Sequence, residues 1–260
     1  MAVSAAASAT TLLPVNAMLG VVLAALLLAA VAVACYARFV DDRENYPRAI
    51  AYAGLRAVVQ LAVVALVIGW VVRRLPTLLA FVLVMYAVAV RTAGRRITRN
   101  GTWWWASVPI AVGALPVVAL LVAVGLVPLK GVALIPVAGI LIGGALTATV
   151  LAGQRALDEL RSRHGEVEAA LALGLLERDA RLEIARPAAA TALIPGLDQT
   201  RTVGLVTLPG AFVGMLIGGA SPVMAGAVQL FVLVALLAVQ AVAVTVVLEL
   251  VARGRITRPR

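Results

Sequence analysis

The chain has 260 residues, of which 63% are hydrophobic and 13% charged, with a formal net charge of +10. Soluble domains are about half apolar, so a mean hydropathy of +1.06 excludes an ordinary water-soluble fold and describes a polytopic helical membrane protein. One cysteine (Cys35) and one histidine (His164) exclude a disulfide framework and a Cys/His metal cage within a single chain, and the cations fall in short clusters between apolar runs, the pattern of a membrane protein and not of a nucleic-acid binder.

The opening stretch, Met1 to Asn16, carries no positive charge, and the apolar run after it ends on Tyr36 and Arg38 without a small-residue cleavage site. That predicts a retained first span over Asn16–Tyr36 instead of a cleaved signal peptide. Bilayer-length runs then predict spans over Ala49–Val72, Leu75–Val90, Trp104–Leu126, Gly131–Ala152, Val203–Ala220 and Val223–Val251. The expected fold is all-α, a transmembrane helical bundle of about seven spans forming one domain over residues 1–260. Cations on alternate sides number seventeen against three, with Arg56 and Arg201 inside or at the edge of spans. The asymmetry predicts the N-terminus outside and the C-terminus in the cytoplasm. Trp103, Trp104 and Trp105, beside the Arg91–Arg99 cluster, read as interfacial anchors and not as a nucleic-acid stacking platform.

One sizeable polar segment interrupts the apolar runs, from Gln154 to Arg186, within a soluble element expected at about 153–190. Leu157 and Leu160, then Val167, Leu171 and Leu175, recur at helical spacing among charges, which predicts amphipathic helix interrupted at Gly165 and Gly174. Inside it, Glu168-Ala169-Ala170 is followed at fixed intervals by Gly174, Ile184 and Pro187. This spacing resembles the EAA loop of ABC-transporter membrane subunits, a helix-turn-helix that docks on the ATP-binding subunit, with Arg186 departing from the consensus Leu. The resemblance implies coupling roles for Glu168, Leu173 and Gly174. An amphipathic helix lying on the inner leaflet is the other reading of the same residues.

The following run supplies a second resemblance. Ala192-Leu193-Ile194-Pro195, Asp198, Thr202-Val203-Gly204-Leu205-Val206, Leu208-Pro209-Gly210, Gly214, Gly218, Pro222 and Gln229 resemble the signature of the FetB-like permeases, as do Arg56-Ala57-Val58-Val59-Gln60-Leu61 and Ile135-Pro136-Val137-Ala138-Gly139. Arg201 departs from the expected Lys, and Ala211-Phe212 from the expected Met. The resemblance implies a membrane subunit of an ABC system for iron export or metal tolerance, related to plant aluminium-tolerance permeases. It also implies an ATP-binding cassette partner, a homodimeric assembly in the cell membrane, and no catalytic residue or cofactor in this chain.

Physical chemistry places candidate roles on the same segment. Pro209 lacks an N–H and Gly210 loosens the chain beside it, so the sixth span is predicted to kink or break there. Gly210, Gly214 and Gly218 repeat at small-xxx-small spacing, which permits close helix packing in lipid. Arg56 and Gln60 share one face of the second span, and Asp198 stands three residues from Arg201, close enough to pair; charged groups inside spans line a pathway or are paired. Arg56, Gln60, Asp198, Thr202, Pro209 and Gly210 are therefore the candidate pathway residues, with Gly214 and Gly218 as packing residues. Met85, Met215 and Met224 are scattered, and the spans carry no metal-ligand cluster, so a metal substrate rests on the resemblance alone. The chain has no G-x-x-x-x-G-K-[ST] phosphate loop, so an ABC permease would need a separate ATPase. A stand-alone secondary transporter remains the alternative, and a membrane-embedded enzyme is disfavoured because the spans contain no Ser/His, paired-Asp or H-E-x-x-H arrangement.

Overall fold

The computed structural model describes residues 16–41, 44–127 and 131–258; the tail preceding Asn16, and the cations Arg43, Lys130 and Arg260 used in the charge count, lie outside them. The chain divides into two compact units, Met1–Gly69 and Trp70–Arg260.

In the first unit, α1 (Ala17–Tyr36) begins where Asn16 Oδ1 accepts from the Leu19 N–H at 3.0 Å, satisfying one of the four amides that a helix start leaves open. A two-residue antiparallel pair, β1 (Val40–Asp41) and β2 (Glu44–Asn45), turns the chain back into α2 (Tyr46–Val71). Leu27 of α1 reaches Gly54 of α2. Apart from Arg48, Arg56 and Gln60 of α2, both helices are mainly apolar and exposed around nearly their whole circumference, a surface that only lipid or neighbouring protein can cover.

The second unit holds α3 (Leu75–Ile97), a 3-10 helix over Gly101–Ala106, α4 (Ser107–Ala123), α5 (Gly131–Ser162), α6 (His164–Ala172), α7 (Glu177–Ala190), a 3-10 turn over Thr191–Leu193, α8 (Ile194–Thr202), α9 (Gly210–Ile217) and α10 (Pro222–Ala252). The last helix is the hub, since α4, α5, α7, α8 and α9 all pack on it. Alanine makes the closest contacts: Ala93, Ala114, Ala138, Ala145, Ala152, Ala156, Ala225 and Ala243 are fully buried. In lipid there is no hydrophobic gain in bringing two apolar helices together, so association depends on dispersion contacts, which small residues permit by letting backbones approach.

Among the described residues, six helices are long and apolar enough to cross a bilayer: α1, α2, α3, Gly101–Ala123, α5 and α10. The sixth expected span differs. Only Gly210–Ile217 of Val203–Ala220 is helical, and 203–209 is a non-helical turn. Pro209 cannot donate to a helix and Gly204 sits at φ +84°, so the expected break at Pro209 is present and extends back to Val203. Gly165, expected to interrupt the polar segment, lies inside α6 instead; the break falls at Arg163, while Gly174 does form the turn.

One end of this unit is closed by residues 256–258. Thr98 Oγ1 donates to the Thr257 carbonyl at 2.7 Å and Asn100 Nδ2 to the same carbonyl at 2.8 Å. Arg258 donates to the Ile97 carbonyl at 2.8 Å and pairs with Asp158 of α5 at 2.5 Å, while Ile256 is buried beneath them. The three tryptophans sit beside this clasp: Arg95 lies over the Trp103 ring, Arg255 over Trp105, and Trp104 stacks on Trp105 at 4.3 Å. Because the Arg258 guanidinium is mostly enclosed, Arg258→Ala is expected to lower stability by about 1–2 kcal/mol. Arg253→Ala, at an exposed pair with Glu249, should fall below about 1 kcal/mol. Thermal unfolding of both variants in the same detergent checks the order.

Candidate functional site

The broken segment is built upward from one end of α10. Arg178 of α7 makes a bidentate pair with Glu249, at 2.7 and 2.8 Å, and Glu249 also accepts from Arg253 at 2.5 Å. Further along, Arg155 of α5 donates to Thr191 Oγ1 at 2.6 Å, fixing the 3-10 turn. Then α8 brings Gly196 against Gln240, nine residues closer to the start of α10 than Glu249. Finally α9 packs on α10 as well. The stretch from α7 to α9 therefore runs alongside the hub helix as a discontinuous ladder of short helices.

Within it, Asp198 and Arg201 pair at 3.5 Å, as their spacing predicts, and both side chains are more than half exposed. Thr202 Oγ1 donates back to the Asp198 carbonyl at 2.8 Å. The Thr202 carbonyl then accepts from three amides, Leu205 at 3.4 Å, Val206 at 2.9 Å and Thr207 at 3.3 Å, while the Gly204 N–H donates to the Thr207 carbonyl at 2.9 Å. This tight loop satisfies its own backbone and turns its side chains outward, with Leu205 93% exposed and Val206 and Leu208 also exposed. Pro209 is half-buried and Gly210 exposed. No other helix lies within 4 Å of a Cβ built on Gly210 or Gly214, and one built on Gly218 meets only the carbonyls of its own helix. In the single chain the glycine face thus stands open.

The polar segment forms a helical hairpin. Val167, Ala180 and Ile184 make a small core between α6 and α7, with Leu160 and Ala170 packed on it. Gly174 closes the turn at φ +91°, and the amides of Leu173, Gly174 and Leu175 donate to the carbonyls of Ala169, Leu171 and Ala170, satisfying the end of α6 in a left-handed cap. Leu173, 82% exposed, and Leu176 stand out from the turn, and Glu168 is exposed beside His164 at 3.4 Å. Arg163 pairs with Glu159 at 3.1 Å and with Glu166, holding the Glu166 carboxyl below the usual range. The structure therefore brings Glu168, Leu173 and Gly174 together on one projecting element.

Arg56 and Gln60 belong to α2, in the other unit. With its amide turned toward the guanidinium, the Gln60 side-chain oxygen accepts from Arg56 Nε at 3.0 Å and from Nη2 at 3.3 Å. Both residues are exposed on a helix of spanning length, an arrangement that lipid alone would penalise by several kcal/mol.

Sequence reasoning named Gln229 only within a signature, and it missed that Gln229 and Gln240 of α10 and Thr149 of α5 are buried with a side-chain oxygen that has no hydrogen-bond partner. A glutamine at helical spacing in an Ala/Val/Leu run announces a polar face, but which way that face points depends on the packing of α10. Among the described residues no group of three or more His, Cys, Asp or Glu side chains is placed to hold a metal ion.

Left-handed backbone at position 174 disfavours any side chain, so Gly174→Ala should destabilise the hairpin by about 1–2 kcal/mol. The expected signature is faster hydrogen exchange confined to the amides of α6 and the start of α7, with α10 unchanged.

Comparison with known proteins places this geometry in a family context. The chain matches the uncharacterised protein family UPF0014 over residues 15–256. It is 38% identical over 187 residues to the UPF0014 membrane protein STAR2 of Oryza sativa subsp. japonica, covering 70% of this chain and 65% of the rice protein. It is 36% identical over 193 residues to the protein ALUMINUM SENSITIVE 3 of Arabidopsis thaliana, covering 70% and 68%. Against the probable iron export permease protein FetB of Escherichia coli the identity is 30% over 184 residues, covering 68% and 70%. The chain thus spans slightly less than two thirds of the rice relative's length. No solved structure matches.

Proposed function

We propose, because this chain belongs to the UPF0014 family of membrane proteins, that it is the membrane-spanning permease subunit of an ABC transporter, exporting iron or another metal and driven by a separate ATP-binding subunit. The observation that carries the reading is the projecting hairpin of α6 and α7, whose turn offers exposed Leu173 and Leu176 beside Glu168. A bare leaflet helix would lay its leucines along one side; a stiff hairpin with apolar residues at its tip suits insertion into a groove on a partner. The name of the Escherichia coli relative, a probable iron export permease, supports the solute class.

In this reading the end bearing the clasp and the hairpin faces the cytoplasm, in agreement with the clustering there of Arg95, Arg155, Arg178, Arg253, Arg255 and Arg258. Motion of the ATPase enters at Glu168, Leu173 and Gly174. It passes through α7, held to α10 by the Arg178–Glu249 pair, into the segment from Asp198 through Thr202 to Pro209 and Gly210. A chain of short helices joined by a turn suits a moving element because each piece can shift without breaking a continuous ladder of hydrogen bonds. Arg56 and Gln60 contribute the polar surface of α2. A second copy completes the assembly, with the open glycine face of α9 and the outward Leu205 and Val206 as its contacts.

Burial of a leucine contributes about 2 kcal/mol, so Leu173→Asp should weaken association with the ATP-binding subunit by roughly thirtyfold or more, and Glu168→Lys should weaken it further. Membrane insertion and thermal unfolding should stay at wild-type values. Pull-down of the ATPase and ATP-dependent metal flux in proteoliposomes measure both effects. Unchanged association in the two variants, with flux driven by an ion gradient and no ATPase, would establish the secondary-transporter alternative. Arg56→Leu should insert normally and lose flux, and wild-type flux in that variant would remove Arg56 from the pathway.

A further inference from the structure

Two glutamines stand within the packed face of α10, Gln229 at 5% exposure and Gln240 at 8%. Eleven residues apart is about three turns, so their side chains leave the same side of the helix, separated by roughly 16 Å along its axis. Each leaves its side-chain oxygen buried without a hydrogen-bond partner. An unsatisfied buried acceptor is destabilising, and leucine would fill much the same volume without that penalty. Packing of the state seen here therefore gives no reason for an amide at either position.

The cover over Gln240 is two helix backbones. A Cβ added to Gly196 of α8 would overlap the Gln240 side-chain oxygen, and one added to Gly144 of α5 would lie 3.6 Å from Nε2. Only at Gly196 does the close approach of backbone to carboxamide require a glycine; the carbon added at Gly144 would overlap Leu236 and stand at ordinary contact distance from the amide. Of the two covers, α5 is a 32-residue helix packed on α3, α4, α7 and α10, whereas α8 has nine residues and leads into the self-contained turn at 203–209. The short helix is the cover that can lift.

Resting on the reading of this chain as a transport subunit, we propose that Gln240 is a solute-binding position, closed by α8 in the present state and uncovered when α8 moves away, with Gln229 as a second position nearer the start of α10. The ligand class follows from the unpaired atoms. Both are neutral carbonyl oxygens, acceptors that take water or the hydration shell of a cation; the ligand is a hydrated cation. Gly196 is the residue that permits closure, because a side chain there would hold α8 off the amide.

The test uses the full chain in proteoliposomes, carrying Cys35→Ala and a single introduced cysteine, either Gln240→Cys or Val247→Cys, the latter at a position with 0% exposure on the same helix. The probes are a cationic trimethylammonium methanethiosulfonate and an anionic sulfonate methanethiosulfonate, each rate divided by that reagent's rate with a free thiol. Gln240→Cys is expected to react at least roughly tenfold faster than Val247→Cys, and faster with the cationic reagent. Labelling no faster than at Val247→Cys overturns the site, and a preference for the anionic reagent overturns the ligand class. Gln240→Leu supplies the second measurement: its thermal midpoint should equal or exceed that of wild type, and a lower one would make the amide structural. Neither measurement needs an ATPase or a known substrate, so failure of the ABC reading would leave both outcomes legible.

Discussion

A peptide group inside a bilayer has no water to bond, so every segment that crosses must satisfy its own backbone or lie against protein that does. The long helices of this chain meet that demand internally. The stretch from α7 to α9 cannot, because Pro209 and the left-handed Gly204 end the hydrogen-bond ladder. Its solution is local: the Thr202 carbonyl gathers three amides, the Gly204 N–H finds the Thr207 carbonyl, and the whole segment is laid along α10. Much of the second unit's architecture follows, since α10 must be long, apolar and central to support four short pieces as well as α4 and α5.

That central role explains the composition of the interfaces. Fully buried alanines line the contacts between α3, α4, α5 and α10, and the larger side chains that are fully enclosed, such as Leu78, Ile110, Leu141 and Leu233, fill the gaps between them. Contacts of this kind are close and numerous and individually weak, about 0.1–0.2 kcal/mol for a pair of heavy atoms. Specificity is added by a few polar fastenings at one end: Arg178 with Glu249, Arg155 with Thr191, Gln154 with the Arg96 carbonyl and Arg258 with Asp158. Among the described residues the first unit has no comparable core, and its two helices present apolar surface and the Arg56–Gln60 pair outward.

Hydropathy alone located six of the long helices, because a span of about 20 apolar residues is a demand of the bilayer and not of the fold. The hairpin turn was legible for a similarly local reason: a glycine between two amphipathic stretches is where a helix can end in left-handed backbone, as at Gly174. The Asp198–Arg201 pair followed from helical spacing. The extent of the broken segment was not legible, since Val203 to Leu208 is apolar enough to read as helix, and its departure depends on the turn closing on Thr202. The family resemblance was carried by the Thr202–Gly210 run, which is a local signature. Gln229 and Gln240 were hidden for the opposite reason: their burial is a property of how α10 meets its neighbours, and no window of the chain contains that information.

The clasp at the end of the bundle joins residues that are far apart in synthesis. Thr98 and Thr257 are separated by 159 positions, which a ribosome covers in about 10–30 s at 5–20 residues per second. During that interval α3 and the tryptophan turn have been made without the stretch of chain that will tie them down, and the hub helix follows in sequence all of the helices that pack on it. The clasp can consequently close only once residues 257 and 258 have been made, so until then α3 and the tryptophan turn must hold their place by helix packing alone.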